Sequence, residues 1–177
     1  TGSIRSGSTA TWCRACGPSR LEKPAKIPVS TLVVVYTPAL DVLLIERADR
    51  PGYWQSVTGS QDPGEALPQT AAREVLEETG IDATRHELVD WGVSNVYEIF
   101  PIWRHRYAPG VTHNTEHVFG LRVPARLDIR LAPREHLRYR WLSWREAAQE
   151  VFSWSNRQAI LMLPDKDASR ATVRTDR

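Results

Sequence analysis

The chain has 177 residues, 41% of them hydrophobic and 25% charged, a balance that fits one globular domain able to bury a core without disulfides or a structural metal. Its formal net charge of +2 argues against a broad nucleic-acid-binding face. No apolar run approaches the roughly 18 residues of a membrane span, and the N-terminus lacks the apolar core of a signal peptide. The expected location is therefore cytoplasmic, with neither nucleic acid nor membrane as a partner.

Residues 1–25 are rich in Gly, Ser, Arg and Pro without an apolar period, and read as a disordered extension. Cys13 and Cys16 within it are spaced C-x-x-C. Zinc needs about four ligands and a thioredoxin-like site needs a βαβ context, so the pair is read as part of a flexible arm. The domain is expected over 26–163. Val29 to Tyr36 is β-branched and nearly continuous in apolar residues, as a buried strand is. A second short strand is expected from Val42 to Glu46, then a polar turn and a loop over Gly59 to Glu65 carrying Pro63 and Gly64. Pro68 opens a helix at a position that tolerates proline, and Gly80 is its natural stop. Ala72, Val75, Leu76 and Thr79 share the spacing of one apolar helix face. Further strands are expected near 87–99, 102–108, 116–123 and 138–142, with helices from Ala147 to Phe152 and Ser155 to Met162. The polar stretch 164–177 reads as a flexible tail. Strands mixed with helices give an α/β class, with helices covering a mixed sheet.

The segment GSQDPGEALPQTAAREVLEETGI over 59–81 carries the chemistry. Its fixed positions are Gly59, Glu65, Arg73, Glu74, Val75, Glu77, Glu78, Gly80 and Ile81, in the pattern G-x(5)-E-x(7)-R-E-U-x-E-E-x-G-U, with U aliphatic. A chance match is on the order of one in ten million at average composition, which rules out coincidence. At about 100° per residue, Glu74, Glu77 and Glu78 share one side of the helix. Glu74 and Glu78 lie one turn apart, where like charges cost an isolated helix about 0.2–0.5 kcal/mol. A hard divalent cation such as Mg²⁺ reverses that cost. Arg73 is free to pair with Glu65 and hold the loop against the helix, and Gly59 permits close backbone approach. Without this register, three such glutamates would read as a solvated acidic helix face.

This pattern resembles the Nudix hydrolases. The stretches KIPVSTLVVVY, YWQSVTGS, EIFPIWRHRYAPGVTHNTEH and SWSNRQAI extend the resemblance, over about 26–163, to the bacterial dihydroneopterin triphosphate diphosphatases of folate synthesis. The resemblance implies the Nudix fold, an α/β/α sandwich around a mixed β-sheet. It implies a Mg²⁺-dependent diphosphatase, with Mn²⁺ as a substitute, that converts 7,8-dihydroneopterin triphosphate to the monophosphate and pyrophosphate. The alternatives are a Nudix pyrophosphatase for (deoxy)nucleoside triphosphates and a non-catalytic Nudix module that binds a ligand. The partner is accordingly a small pterin or nucleoside triphosphate; the sequence sets no oligomeric state.

The metal ligands are expected to be Glu74 and Glu78, with Glu135 in PREHLRYRW as the acid that completes the site from a later loop. Glu98 and Glu116 are the other downstream carboxylates; Glu116, beside His117 at the start of a strand, also fits an ordinary surface charge. Glu77, Glu78 and Arg73 are the expected catalytic residues, with Glu77 a candidate for a second ion or for proton removal. Arg104 and Arg106 would share one face of a strand over 102–108 and form a cationic wall for the phosphates. Lys26 and Arg47 are added by the resemblance, as are Thr58, Tyr97, Glu98, Ile99, Phe100 and Ser153 as substrate-binding positions. Ser153 or Ser155 also suits a helix N-cap, beside Trp154 as a stacking ring. Trp54 is expected in the core. His113 and His117 are assigned no metal, because Asn114 and Thr115 read as loop.

Overall fold

A computed structural model describes residues 25–175, with side chains described to residue 170. Cys13, Cys16 and nearly all of the extension expected over 1–25 lie outside the described residues.

The apolar run that marks the first strand forms β1 (Val29–Tyr36), and Thr31 and Leu32 to Val35 within it are buried because both faces are covered. β2 (Asp41–Arg47), β3 (Trp54–Gln55) and β4 (Val57–Ser60) follow, then helix α1 (Leu67–Thr79). Beyond it lie β5 (Glu87–Glu98), β6 (His113–Arg122), β7 (His136–Ser143), α2 (Trp144–Glu150) and α3 (Trp154–Thr175). The strands form one seven-stranded sheet with the central order β3-β2-β1-β6-β5, β4 pairing with β1 and β7 with β2. β1 and β6 run parallel and the other pairs antiparallel, so the sheet is mixed.

Alternation along β1 divides the core into two layers. Leu32, Val34 and Tyr36 face α2 and α3, meeting Ala147, Ala159, Ile160 and Leu163. Val33 and Val35 face α1, meeting Ala71 and Val75. The result is an α/β/α sandwich. β1 pairs with β4 over its first half and meets β2 only at Tyr36↔Val42. The sheet therefore splays between β1 and β2, and the opening becomes the cleft. No described helix is long and apolar enough to cross a membrane.

Four expectations need correction. Residues 101–106 form a 3-10 helix, Pro101–Arg106, instead of a strand, because Pro101 opens it and offers no N–H to a ladder. Arg104 and Arg106 therefore do not share a strand face. β6 begins at His113, so Asn114 and Thr115 are strand. On α1 the buried stripe is Ala71, Val75 and Thr79, and Leu76 is 51% exposed. The flexible tail expected over 164–177 is helical to Thr175, running straight through Pro164. Its side chains explain why. Lys166 donates to the Trp91 carbonyl at 2.7 Å. Asp167 accepts from Tyr36 and Arg122, and Arg170 reaches Glu87 at 2.8 Å.

Candidate active site

A cleft of about 1030 Å³ opens where the sheet splays, bounded by β4, the C-terminal half of α1, the β5–β6 connection and the start of α3. On its acidic side α1 presents Glu74, Glu77 and Glu78. Gly80 stops the helix one turn beyond Leu76, whose carbonyl its N–H reaches, in the left-handed conformation at φ 73°. This fixes the length of the helix and the phase of its glutamates.

Arg73 holds the acidic side together. Its guanidinium grips both oxygens of Glu65 at 2.7 and 3.0 Å and the Ser60 carbonyl at 3.0 Å. The remaining nitrogen reaches Glu74 at 2.7 Å and Glu77 at 3.2 Å. With every donor taken by protein, Arg73 does not line the cleft. It pairs with Glu65 and holds the loop against the helix, as its spacing led us to expect, and so acts on the cleft by positioning Glu74 and Glu77. Thr70 adds a hydroxyl to Glu65 at 2.8 Å. Together these partners drive the Glu65 carboxyl down to about 2, with Arg73 the largest cause.

Glu78 is only 5% exposed. Its carboxylate accepts from the Thr58 N–H at 3.3 Å and lies 3.0 Å from Nε2 of His136. The other ring nitrogen of His136, Nδ1, is buried without a hydrogen-bond partner. Burial raises the Glu78 pKa above the usual carboxylate range. Glu74 is pushed up to about 7, first by burial and further by the charges of Glu78 and Glu77. Donor atoms of Glu78, Glu135 and His136 fall within 4.8 Å of one another. Glu135 arrives at the head of β7, where its backbone carbonyl accepts from Ala48 at 2.9 Å. Carboxylates and one imidazole, crowded, partly buried and short of partners, suit a hard divalent cation. His136 is the member that sequence reasoning missed; its one signal was adjacency to Glu135.

Cations flank the acids. The Lys26 ammonium lies 3.4 Å from the Ser60 hydroxyl. Its pKa is lowered by burial and by Arg106, against the pull of Glu74, Glu135 and Glu78. Arg47 is braced by Asp49 at 2.8 Å and Gln55 at 3.1 Å and stacks over Trp103. Both line the cleft, as do Thr58, Tyr97, Glu98, Ile99, Phe100, Arg106 and Ser153. Arg104 does not: it pairs with Glu98 and donates to the Ile99 carbonyl.

The far side of the cleft is aromatic. Phe100, Trp103, Phe152 and Trp154 line it, Trp154 being 54% exposed. Ser153 caps α3 by accepting from the Asn156 N–H at 3.3 Å. Asn156 locks onto Ser56 through two bonds of 2.8 Å. Trp54 is buried in the core, as expected. Glu116 is also buried and lines the cleft, so it is no surface charge.

The model of the Nudix domain matches residues 26–163. The chain belongs to the Nudix family. It is 49% identical, over 142 residues, to the dihydroneopterin triphosphate diphosphatase of Escherichia coli K12, covering 78% of this chain and 93% of that one. The enzyme of the same name from Haemophilus influenzae is 40% identical over 134 residues, covering 74% and 84%. The solved E. coli dihydroneopterin triphosphate pyrophosphohydrolase superposes with a TM-score of 0.73 at 50% identity, over 78% of this chain and 95% of that one. Nudix hydrolases use divalent metal ions, and the acidic end of the cleft supplies a donor set of that kind.

Proposed function

We propose that this Nudix chain hydrolyses 7,8-dihydroneopterin triphosphate to dihydroneopterin monophosphate and pyrophosphate in folate biosynthesis, with Mg²⁺ as its working ion and Mn²⁺ as a substitute. The observation that carries the chemistry is the convergence of Glu78, Glu135 and His136 within 4.8 Å at the acidic end of the cleft, beside Glu74. The choice of substrate rests on the two bacterial relatives that bear the activity as their name.

Glu74, Glu78 and Glu135 would hold the ion, with His136 beside them. When bound, it supplies polarisation of the phosphate oxygens and a more acidic water. The chain's own residues do the rest. Lys26 and Arg47 neutralise and orient the triphosphate, and positioning of this kind supplies most of the rate in phosphoryl chemistry. Arg73 holds Glu74 and Glu77 in phase and keeps the loop from Ser60 to Glu65 closed on α1. Glu77, which lines the cleft with its side chain 58% exposed, serves in this reading as the acceptor of the proton from the attacking water. The water oxygen forms a bond to phosphorus, the anhydride bridge breaks, and pyrophosphate leaves with the electron pair.

The test is to incubate the protein with Mg²⁺ and a panel of triphosphates and to identify the products. The expected result is the highest kcat/KM for dihydroneopterin triphosphate, with pyrophosphate released. A common nucleoside triphosphate turning over more efficiently, or orthophosphate as sole product, overturns the assignment.

A further inference from the structure

At the end of the cleft away from α1, strand register sets Glu116 beside Ser30 of β1 and Asn95 of β5. Ser30 in turn lies beside Ser60 of β4. Glu116 is thus two strands from β4, about 10 Å at the usual strand spacing, and β4 carries the Gly59 on which Glu74 rests. Glu116 is 4% exposed and lines the cleft. Its Oε1 has no hydrogen-bond partner. Burial raises the pKa of the carboxyl and hydrogen bonds from Ser155 and Asn95 oppose that rise, with no cation among its neighbours. Asn114 donates to the Ser30 hydroxyl at 2.7 Å and the Tyr97 hydroxyl at 3.1 Å, fixing two more polar groups in the cleft wall beside Glu116. Phe152 and Trp154 line the same cleft with apolar surface.

A buried carboxylate oxygen without a donor is expensive to keep. Glu116 also borders the cleft, so a ligand seated there is the available source of the missing donor. It repels phosphate, so it orients a triphosphate with its charged end toward Lys26 and its ring end inward. The ring edge that satisfies a carboxylate presents two parallel N–H donors, as a guanidinium does. A 2-amino-4-oxo heterocycle offers that edge through its 2-amino group and the adjacent ring N–H. We propose that Glu116 is a specificity-determining residue that accepts both of these hydrogen bonds and so selects 2-amino-4-oxo rings, pterin and guanine alike, over rings lacking the 2-amino donor. This rests on the pterin triphosphate assignment above and adds the residue that reads the ring.

The decisive pair of substrates is GTP and ITP, which differ only in the 2-amino group. A site built to hydrogen-bond a group rejects the analogue lacking it, so the 177-residue chain should favour GTP over ITP in kcat/KM by at least about tenfold. Glu116→Gln should bring that ratio to within about twofold, while raising KM for dihydroneopterin triphosphate more than it lowers kcat. Neopterin, which carries no phosphate, should quench tryptophan fluorescence of the metal-free wild type and bind the variant about tenfold more weakly. A variant that keeps both the GTP preference and the neopterin affinity overturns the assignment of Glu116. So does a wild type that ignores the difference between GTP and ITP, even where it prefers the pterin triphosphate. A wild type that turns over the pterin triphosphate no better than ATP instead removes the substrate assignment, whatever the GTP to ITP ratio. Should Glu116→Gln not fold, Glu116→Asp keeps the charge, withdraws it by one methylene, and is read by the same ratios.

Discussion

A methyl group on residue 59 would fall 1.7 Å from Cδ of Glu74. No rotamer change of the methyl relieves that, so Glu74 must leave its place. A displacement of about 1 Å at a reacting centre can cost on the order of a hundredfold in rate, and Gly59→Ala should lose at least that much in kcat/KM. A Mg²⁺ titration of activity checks it, and a variant with wild-type Mg²⁺ dependence would show that Glu74 is not a ligand. Glu78→Gln removes a charge from the buried centre of the donor set and should cost several orders of magnitude at saturating Mg²⁺. Glu65 carries a pH signature. Its folded pKa of about 2 lies below the ordinary 4.5. It therefore stabilises the fold above the ordinary value, and that contribution disappears as pH falls from there through the folded value. Melting temperatures of wild type and Glu65→Gln, followed from about pH 6 to about pH 2, should converge as the pH drops; parallel curves would mean that the pairing with Arg73 contributes nothing. The spacing of Glu65, Arg73, Glu74, Glu77 and Glu78 was legible in the sequence because all five lie on one loop and one helix. His136 and the burial of Glu116 were not, since both depend on which strands lie beside β1 and β2, and local spacing carries no such information.

At the scale of elements, β1, β2 and α1 follow from apolar runs and caps that act locally. The segment after β5 does not. RHRY alternates like a strand, yet Pro101 starts a 3-10 turn there and the cations scatter: Arg106 enters the cleft and Arg104 turns to Glu98. The end of α3 is a similar case with the opposite outcome. A proline inside a helix costs about 3 kcal/mol, reason enough to expect the helix to stop at Pro164. Tertiary contacts outweigh that cost. Leu163 is fully buried, and Asp167 collects Tyr36, Arg122 and Arg170. Burial and the Asp167 charge together push the Tyr36 hydroxyl up to about 12. Asp167→Ala strips a part-buried network of its shared acceptor and should cost about 1–3 kcal/mol, or roughly 2–12 °C in melting temperature for a chain of this size. Turnover should stay at wild-type level, because none of these residues lines the cleft. Calorimetry beside a standard activity assay checks both halves; a variant with an unchanged melting temperature would mean that burial of Leu163 alone carries the helix past Pro164.

For the molecule as a whole, the cleft is where the fold holds uncompensated charge. Glu74 and Glu78 both sit above the usual carboxylate range because burial opposes their ionisation, with further repulsion from Glu78 and Glu77 on Glu74 and from Glu135 on Glu78. The native state thus carries at neutral pH a strain that the unfolded chain, with its carboxylates in water, does not. A divalent cation that binds only the folded site relieves it and stabilises by linkage, about 2.7 kcal/mol when present at a hundred times its Kd. For a domain of this length that corresponds to a rise of roughly 5–10 °C in melting temperature. The effect should be carried by Mg²⁺ or Mn²⁺ and fail in Glu78→Gln, which keeps the shape of the side chain but removes the central charge. Replacing Glu135 with Gln should reduce the rise, since its carboxylate closes the donor set from the turn just before β7. Glu116→Gln should leave the rise intact, because Glu116 is not among the clustered donors. Thermal melts of these three variants with and without the ion separate the two ends of the cleft without any substrate. If Glu116→Gln abolishes the metal-induced rise and Glu135→Gln does not, the outer ligand has been placed on the wrong strand and the metal end extends to β6.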